Sequence, residues 1–508
     1  MKRRLAAATA VLGLGLISAC GGSDDGAGAT KEAPGGAFTF GAVLADTTLD
    51  PDLIPVRQMV VYTQPLYDSL TYLAPDQSVQ PMLATEWKAG EDGDGPFLDV
   101  TLREGLTFPD GTPFTATTVL ANVKRSQTLK QSTNAPELAG VTVEEAGPAK
   151  VRFRNPAGVG DLPRTLAGPS GMMISDKAID GGTDLTRQSV GIGPYTVKTV
   201  QPNRIVYAKN PDYWDPRAAA GDTLEINYLT DDAKLNAIRT GDLDVTVVPE
   251  QMVTAAEAAG YKIERNLGTE NFSFSFNTEM KPFDDVRVRE AVNLAVDREA
   301  ICKGLFQGQC EPTGQFFAAG SAQYDPAFGL TAVPFDLEKA KKLIQDAGAT
   351  GAKVEIVTVA GNQVMEQLAS VLQQQMNTIG LQASVSPVAP PQVVGKFTAE
   401  KSVAVAVGAS GNTFDPATTV ARYVLPTGLY NPGGFRDAEV VRLAAEAVRE
   451  TDQDKRTEVY RKLSTAVMKD FMFMPILTTK TSYATSSTVS GWRNPWAPAF
   501  PSFRGVKG

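Results

Sequence analysis

The 508-residue chain contains no histidine. That absence removes Ser-His-Asp and Cys-His nucleophilic catalysis, histidine-ligated metals and imidazole acid–base chemistry. Cysteine is scarce: there are three in all, too few for a cysteine zinc cluster. Positive charge is in deficit, with 48 Lys and Arg against 57 Asp and Glu and a formal net charge of -9. Such a balance argues against a surface built for nucleic acid. Beyond the first twenty residues, no uninterrupted apolar run reaches membrane-spanning length. Neither a P-loop nor a G-x-S-x-G nucleophile elbow occurs. No cofactor is expected from what remains. The length suffices for two or three domains with cores of their own.

What is present begins with the leader. Lys2, Arg3 and Arg4 precede an apolar stretch from Leu5 to Ile17. That stretch is too short to span a bilayer as a mature helix. Ser18 and Ala19 are small, and Cys20 follows directly. The pattern resembles a bacterial lipobox, which implies a diacylglycerol on the Cys20 thiol and a signal peptide over residues 1–19. The alternative is an ordinary secretory signal with an incidental cysteine. Two acyl chains hold a protein to a membrane stably. The expected location is therefore extracytoplasmic, on the outer face of the cell membrane. Residues 20–36, rich in Gly, Ala, Asp and Ser, read as a flexible tether with a reach of roughly 20 Å.

Strand-like and helix-like stretches mix from Phe38 onward. FTFGAVL (38–44) reads as a first strand, and residues 59–73 read as a helix closing into a turn. Residues 97–108 alternate apolar and polar, and PDGTPF forms a turn after them. Thr115 is placed to cap a helix over 115–127, and 141–155 reads as a hairpin. The rhythm changes after Asp336, which caps a helix stopping at Gly348. KVEIVTV follows as a strand. Met365, Leu368, Ala369, Leu372, Met376 and Ile379 then fall on one helical face. Leu381, Ala383 and Val385 alternate on the next strand. Strand, helix, strand in this order is a βαβ unit with a right-handed crossover. Cys302 and Cys310, eight residues apart, read as a local disulfide in an oxidising compartment; the alternative is two free buried thiols.

Six segments together are similar to one family, the solute-binding proteins of ABC importers for oligopeptides, dipeptides and nickel (bacterial extracellular solute-binding protein family 5). They are LYDSLTYL with QPMLATEWKAGEDG, LREGLTFPDGTPFTATTVLANVKR, GIGPYTVKTVQPNRIVYAKNPDYWD, FSFNTEMKPFDDVRVREAVNLAVDREAI, NPGGFRDAEVVRLAAEA and FMPILTTKTSYA. They occur in family order from about Phe38 to the end. The resemblance implies a two-lobed, periplasmic-binding-protein-like α/β fold with a hinge, the first lobe mixed α+β and split into two subdomains. Residues 37–57, 190–283 and 479–508 would form the core of lobe I, 58–189 its second subdomain, and 284–478 lobe II. It also implies a small solute, peptide-like or other, and membrane permease subunits as partners. Nucleic acid is not implied, and the protein is expected to be a monomer.

Family members that bind peptides carry G-W-x-x-D-Y-x-D-P, whose first Asp pairs with the peptide's α-amino group. Here the stretch is GASGNTFDP (408–416), so that Asp is Asn412, the Trp is Ala409 and the Tyr is Thr413. An amide supplies no charge to a buried ammonium. A free-amine peptide therefore loses weight against a neutral, blocked or differently anchored solute, unless another acid takes over. The expected ligand contacts are Ser410, Asn412 and Phe414 in that loop, Thr48 and Asn277 from the first lobe, and Arg422 or Tyr423. Gly111, Gly193 and Pro194 are expected to form turns, Arg287 and Arg289 to pair with nearby acids, and Trp87, Tyr213 and Trp214 to pack in cores. Two competing readings are a lipid-anchored extracellular hydrolase, a carboxylate-only glycosidase at most, and a solute sensor on the same fold.

Overall fold

Two long strands, Lys262–Phe276 and Phe473–Thr485, carry the chain between its two halves. The computed structural model describes residues 36–507 apart from 46–47, 56, 217, 220, 331–332, 412 and 494–499. The leader, Cys20 and Asn412 thus lie outside the described residues. The two long strands pair antiparallel, with a register break between Leu267 and Asn271. Alternating apolar residues let each serve two cores. Ile263 and Ala484 pack in a cluster with Ile238, Leu243 and Met252. Phe274, Phe276, Ile476 and Leu477 pack with Ile356, Leu372 and Val405.

Both belong to one sheet that continues on either side of them. Toward the N-terminal half come Val245–Val248, Ala37–Ala42, Thr223–Tyr228, Arg204–Lys209 and Tyr195–Gln201. Toward the other half come Val405–Gly411, Lys353–Val359 and Gln382–Val388. Lys353–Val359 runs parallel to both Gln382–Val388 and Val405–Gly411, as a βαβ unit requires. Its crossover helix, Gln363–Thr378, starts where the Asn362 side chain accepts from Met365 N at 3.1 Å. It buries Leu368, Ala369, Leu372 and Met376, the face that the 3.6-residue period selects. The helix Leu337–Asp346 begins on the side chain of Asp336, which accepts from Lys339 N at 2.9 Å.

A second, four-stranded antiparallel sheet has the order Ala84–Asp92, Gly95–Leu102, Lys150–Arg154, Thr142–Gly147. The helix Ala116–Thr128 covers it, with Thr115 at its N-cap. Leu98, Val100, Val119, Val151 and Phe153 form a core distinct from those of the large sheet. Gly111 takes a positive φ of 84° in the turn before that helix, a conformation that favours glycine.

Two expectations need correction. The helix expected over 59–73 is only Val60–Thr63, and Thr71–Leu73 is a strand. Pro65 lacks the N–H that a continuing helix requires, so the apolar run breaks there. Arg287 does pair with Asp285, at 2.5 Å, but Arg289 does not pair with a carboxylate. Its buried guanidinium donates to the carbonyls of Phe283 at 2.7 Å and Asp470 at 2.9 Å. No helix among the described residues is long and apolar enough to cross a membrane.

Cys302 and Cys310 are joined by a disulfide, with Cα atoms 5.8 Å apart and eight residues of sequence separation. Both are buried against the core of the second half. Closing a loop this short restricts the unfolded chain by about 2–3 kcal/mol in the loop-entropy picture. The double variant Cys302→Ser/Cys310→Ser should lose about that much stability in urea unfolding. Wild type and double variant should converge under a reductant.

Candidate functional site

The site grows from the end of the strand Val405–Gly411. Gly411 has φ +125°, and a Cβ there would lie 2.0 Å from the carbonyl oxygen of Thr269. Only glycine lets this strand end so close to the long strand Lys262–Phe276. Four residues on, Asp415 caps the helix Pro416–Tyr423 by accepting from Ala417 N at 2.8 Å. Pro416 occupies the first helical position, where its missing N–H costs nothing.

The same Asp415 carboxylate receives both nitrogens of a fork from Arg456, Nη1 at 2.5 Å and Nη2 at 2.7 Å. Both side chains are almost wholly buried, 2% and 1% exposed. Arg456 also donates to Tyr460 Oη at 2.9 Å and to the Ala447 carbonyl at 2.8 Å. Every polar atom of the pair is therefore used, as a charge pair removed from water demands.

A second guanidinium arrives from the other half of the chain. Arg164, on the helix Leu162–Thr165, donates from Nη1 to the Gln77 carbonyl at 2.7 Å and from Nε to the Phe414 carbonyl at 3.1 Å. Its Nε lies 4.0 Å from Asp415 Oδ2. Glycines permit the approach. Gly160 N donates to the Val448 carbonyl at 2.8 Å, and a Cβ on Gly160 would sit 2.0 Å from the Glu450 carbonyl. A Cβ on Gly168 would meet the Phe414 ring at 2.6 Å. Asp161 lies in the same cluster. Burial first, and then the Asp415 charge, push its carboxyl up to about 7, with Arg456 pulling the other way.

Arg164 and Gln77 from one side, and Ser410, Gly411 and Thr413 from the other, face each other across a recess floored by Thr269. The recess has room for only about two or three water molecules. Ser410 is buried, and its hydroxyl makes no hydrogen bond among the described residues. A buried hydroxyl without a partner is a standing cost that a bound molecule can relieve.

Of the residues expected from sequence, Ser410 lines this recess. Phe414 lines the adjoining cavity with Tyr67, Ala167 and Tyr195, its ring 4.4 Å from that of Phe500. Asn412 lies outside the described residues. The other four are not in the recess lining. Thr48 is buried and accepts from Asp50 N at 3.0 Å, beside the Asp50–Arg125 ion pair. Asn277 is buried; it accepts from Glu279 N at 3.2 Å, and its Nδ2 has no hydrogen bond among the described residues. Arg422 is exposed and lies 5.9 Å over the Tyr430 ring. Tyr423 is a core residue whose hydroxyl donates to the Ala409 carbonyl at 2.7 Å. Sequence reasoning missed Arg164, Gln77 and Thr269. Arg164 sits in GDLPRTLAG with no local signal of a site. Tyr213 is buried, and Trp214 packs against the core of the smaller sheet and donates to Asp68 at 2.7 Å. No group of His, Cys, Asp and Glu among the described residues is arranged to hold a metal.

Two outcomes follow from these charges. Arg456→Met would leave the Asp415 carboxylate buried without its partner. It should cost about 3–5 kcal/mol in urea unfolding, whereas Lys342→Met, which removes an exposed partner of Asp346, should cost under about 1 kcal/mol. The raised Asp161 carboxyl has a definite sign. The folded state holds its proton where the unfolded chain has lost it, so this contribution is full below about pH 4 and is lost as pH rises through about 7. Relative to wild type, Asp161→Asn should therefore gain stability across that window, read as the difference between melting temperatures at its two ends.

The chain matches the family described as bacterial extracellular solute-binding proteins, family 5, over residues 78–431. It is 26% identical over 468 residues to the glutathione-binding protein GsiB of Salmonella typhi, covering 88% of this chain and 90% of that protein. Its fold is similar to a dipeptide binding protein from Pseudoalteromonas sp. SM9913 in complex with Met-Leu, with TM-score 0.76, 21% identity and coverage of 93% and 100%. It is similar also to NikA from Brucella suis in complex with Fe(III)-EDTA, with TM-score 0.78, 20% identity and coverage of 92% and 99%. These neighbours share a two-lobed α/β architecture. The family match spans more than half the sequence, and on that ground this chain belongs to family 5 of the bacterial extracellular solute-binding proteins.

Proposed function

We propose that the protein is the lipid-anchored solute-binding component of an ABC importer, capturing a small solute between two lobes and delivering it to a membrane permease. One observation carries the capture step. Arg164 and Gln77 meet Ser410 and Thr413 across a narrow recess, and each side is backed by its own core. Parting of the two sides would give a solute access to the unpartnered Ser410 hydroxyl. The long strands Lys262–Phe276 and Phe473–Thr485 are the connection between the halves, and their register break at Leu267–Asn271 is the natural point of flexure.

In this reading lobe I comprises residues 37–283 and 479–508, with 58–189 as its second subdomain, and lobe II comprises 284–478. Solute touches both lobes only when they are closed, so binding shifts the population toward closure by its differential affinity. Nothing in the recess suggests turnover. Among the described residues, its lining holds no carboxylate, cysteine or histidine to act as acid, base or nucleophile. The acyl chains expected on Cys20 and the tether would keep the lobes near the permease. The glutathione, dipeptide and metal-chelate ligands of its relatives mark the size range of solutes to screen.

The test is native mass spectrometry of the protein purified from its own cells. A stoichiometric small molecule should accompany the mature chain, and its removal should enlarge the radius of gyration measured by X-ray scattering. Re-addition at about 100 times the Kd should raise stability by about 3 kcal/mol. Gly160→Val, whose side chain meets the Val448 and Glu450 carbonyls, should weaken capture about tenfold while leaving the solute-free melting temperature nearly unchanged. A chain that binds no small molecule and has one radius of gyration under every condition refutes the reading. A mature mass retaining Met1, without diacylglycerol on Cys20, refutes the anchor.

A further inference from the structure

The sheet that joins the two halves has two faces, and the recess uses only one. Neighbouring side chains on the strand Phe473–Thr485 point to opposite faces. Phe473 packs with Phe316 and Phe317, which line the recess, whereas Met474 packs in the core that carries Leu305, Phe306 and Val364. Those last three side chains form one wall of a groove of about 730 Å³ on the reverse face. The other wall includes Val43, Leu229 and Val247 from the first half, and residues 479–482 of the joining strand lie between the two. The size is that of a small-molecule site. Leu305, Phe306 and Gln309 lie within the loop closed by the Cys302–Cys310 disulfide, and the Gln309 carbonyl accepts from Lys480 N at 3.0 Å. That wall is therefore tied to the joining strand.

Two lysines line this groove, Lys234 and Lys480. Lys234, on the helix Asp231–Thr240, has only 6% of its side chain exposed. Among the described residues its one charge contact is Asp231 at 3.8 Å, and its Nζ makes no hydrogen bond. Burial pulls its pKa below the usual lysine value, and Asp231 offsets this in part. Lys480 Nζ has no bonded partner among the described residues. The two carboxylates of the lining, Asp231 and Glu250, have stabilisation of their own. Glu250 is bound by Arg265 at 2.8 Å. Asp231 is 64% exposed in the first turn of its helix, where the helix dipole favours a negative charge. A buried ammonium without a hydrogen bond is costly, and an anion reaching it through the groove would remove that cost.

We propose that this groove is a second ligand site, for a small amphipathic carboxylate, and that its occupant favours closure of the recess. The carboxylate meets Lys234 in charge-assisted bonds. The apolar body lies between Leu305, Phe306 and Val364 on one side and Val43 and Leu229 on the other. The direction of the coupling follows from geometry. Recess and groove lie on opposite faces of one sheet, so a rotation about the joining strands that widens the recess narrows the groove. A molecule lodged in the groove opposes that rotation, and occupancy of either site strengthens binding at the other. The site stands on the residues around the groove, whereas the coupling rests on the parting of the lobes proposed above.

The experiment uses the purified mature protein, with octanoate as the ligand and octylammonium and 1-octanol as its cationic and neutral counterparts. Calorimetric titration should find one octanoate site per chain, about tenfold or more tighter than for either counterpart. Lys234→Met, which keeps the side-chain length and removes the charge, should weaken octanoate binding by a similar factor. Solute-free melting curves verify that the variant folds. In X-ray scattering, saturating octanoate should lower the radius of gyration of the solute-free protein. Val364→Trp, whose ring fills part of the groove, should lower it without octanoate. Absence of octanoate binding, octylammonium binding as tight as octanoate, or octanoate binding unchanged in Lys234→Met overturns the site. A radius of gyration unmoved by saturating octanoate overturns the coupling. A small molecule found by native mass spectrometry alongside either negative result leaves solute capture standing.

Discussion

The pair Asp415–Arg456 is the constraint on which the site depends. One carboxylate caps the helix Pro416–Tyr423, satisfies a buried guanidinium and sets the end of the loop that follows the strand Val405–Gly411. Ser410 and Gly411 are held beside Thr269 by pairing with Asn271 and Glu270 of the long strand, and Asp415 fixes the end of the loop beyond them. The electrostatics follow from the same commitment. Because Asp415 belongs to Arg456, Arg164 reaches the recess without a carboxylate bonded to it. A buried ion pair adds little net stability compared with an apolar replacement. Here it fixes the geometry of a loop and the charge of a cavity.

The second constraint is backbone shape. The two halves approach closely because glycines stand where a side chain would collide, at Gly160 against Glu450 and at Gly168 against Phe414. Their contacts are both polar and apolar: Gly160 N donates to the Val448 carbonyl, and the Phe414 ring is buried among Tyr67, Ala167 and Phe500. The hydrogen bonds can be exchanged for bonds to water, whereas the Phe414 ring is held by apolar contact. The connection through two paired strands, by contrast, is continuous with the cores on either side.

Local structure was largely legible in the sequence. The stretch KVEIVTV is a strand over Lys353–Val359, and the apolar face of Gln363–Thr378 is the one its spacing names. Asp336 and Thr115 cap the helices they precede. Cys302 and Cys310 are bonded. The failure at 59–73 came from reading an apolar run through Pro65. The site was less legible. The loop 408–416 was found through its likeness to a known motif, and Ser410 came with it. Thr48 and Tyr423 bond within their own surroundings, whereas Asn277 accepts from Glu279 N and keeps a buried Nδ2 without a partner among the described residues.

The sequence by itself determined the repertoire. It excluded imidazole and metal–histidine chemistry, ordered the strands and helices, and replaced an expected acid by Asn412. These are properties of composition and of neighbours within a few residues, where side-chain period, capping and turn chemistry act. Tertiary structure alone decided which charge meets which. Arg164 and Asp415 are 251 positions apart, and no local pattern relates them. Whether a buried guanidinium bonds a protein carboxylate or only neutral carbonyls, as Arg164 does, depends on distances of a few ångströms across that gap. Electrostatic energy in a low-dielectric interior changes steeply over those distances.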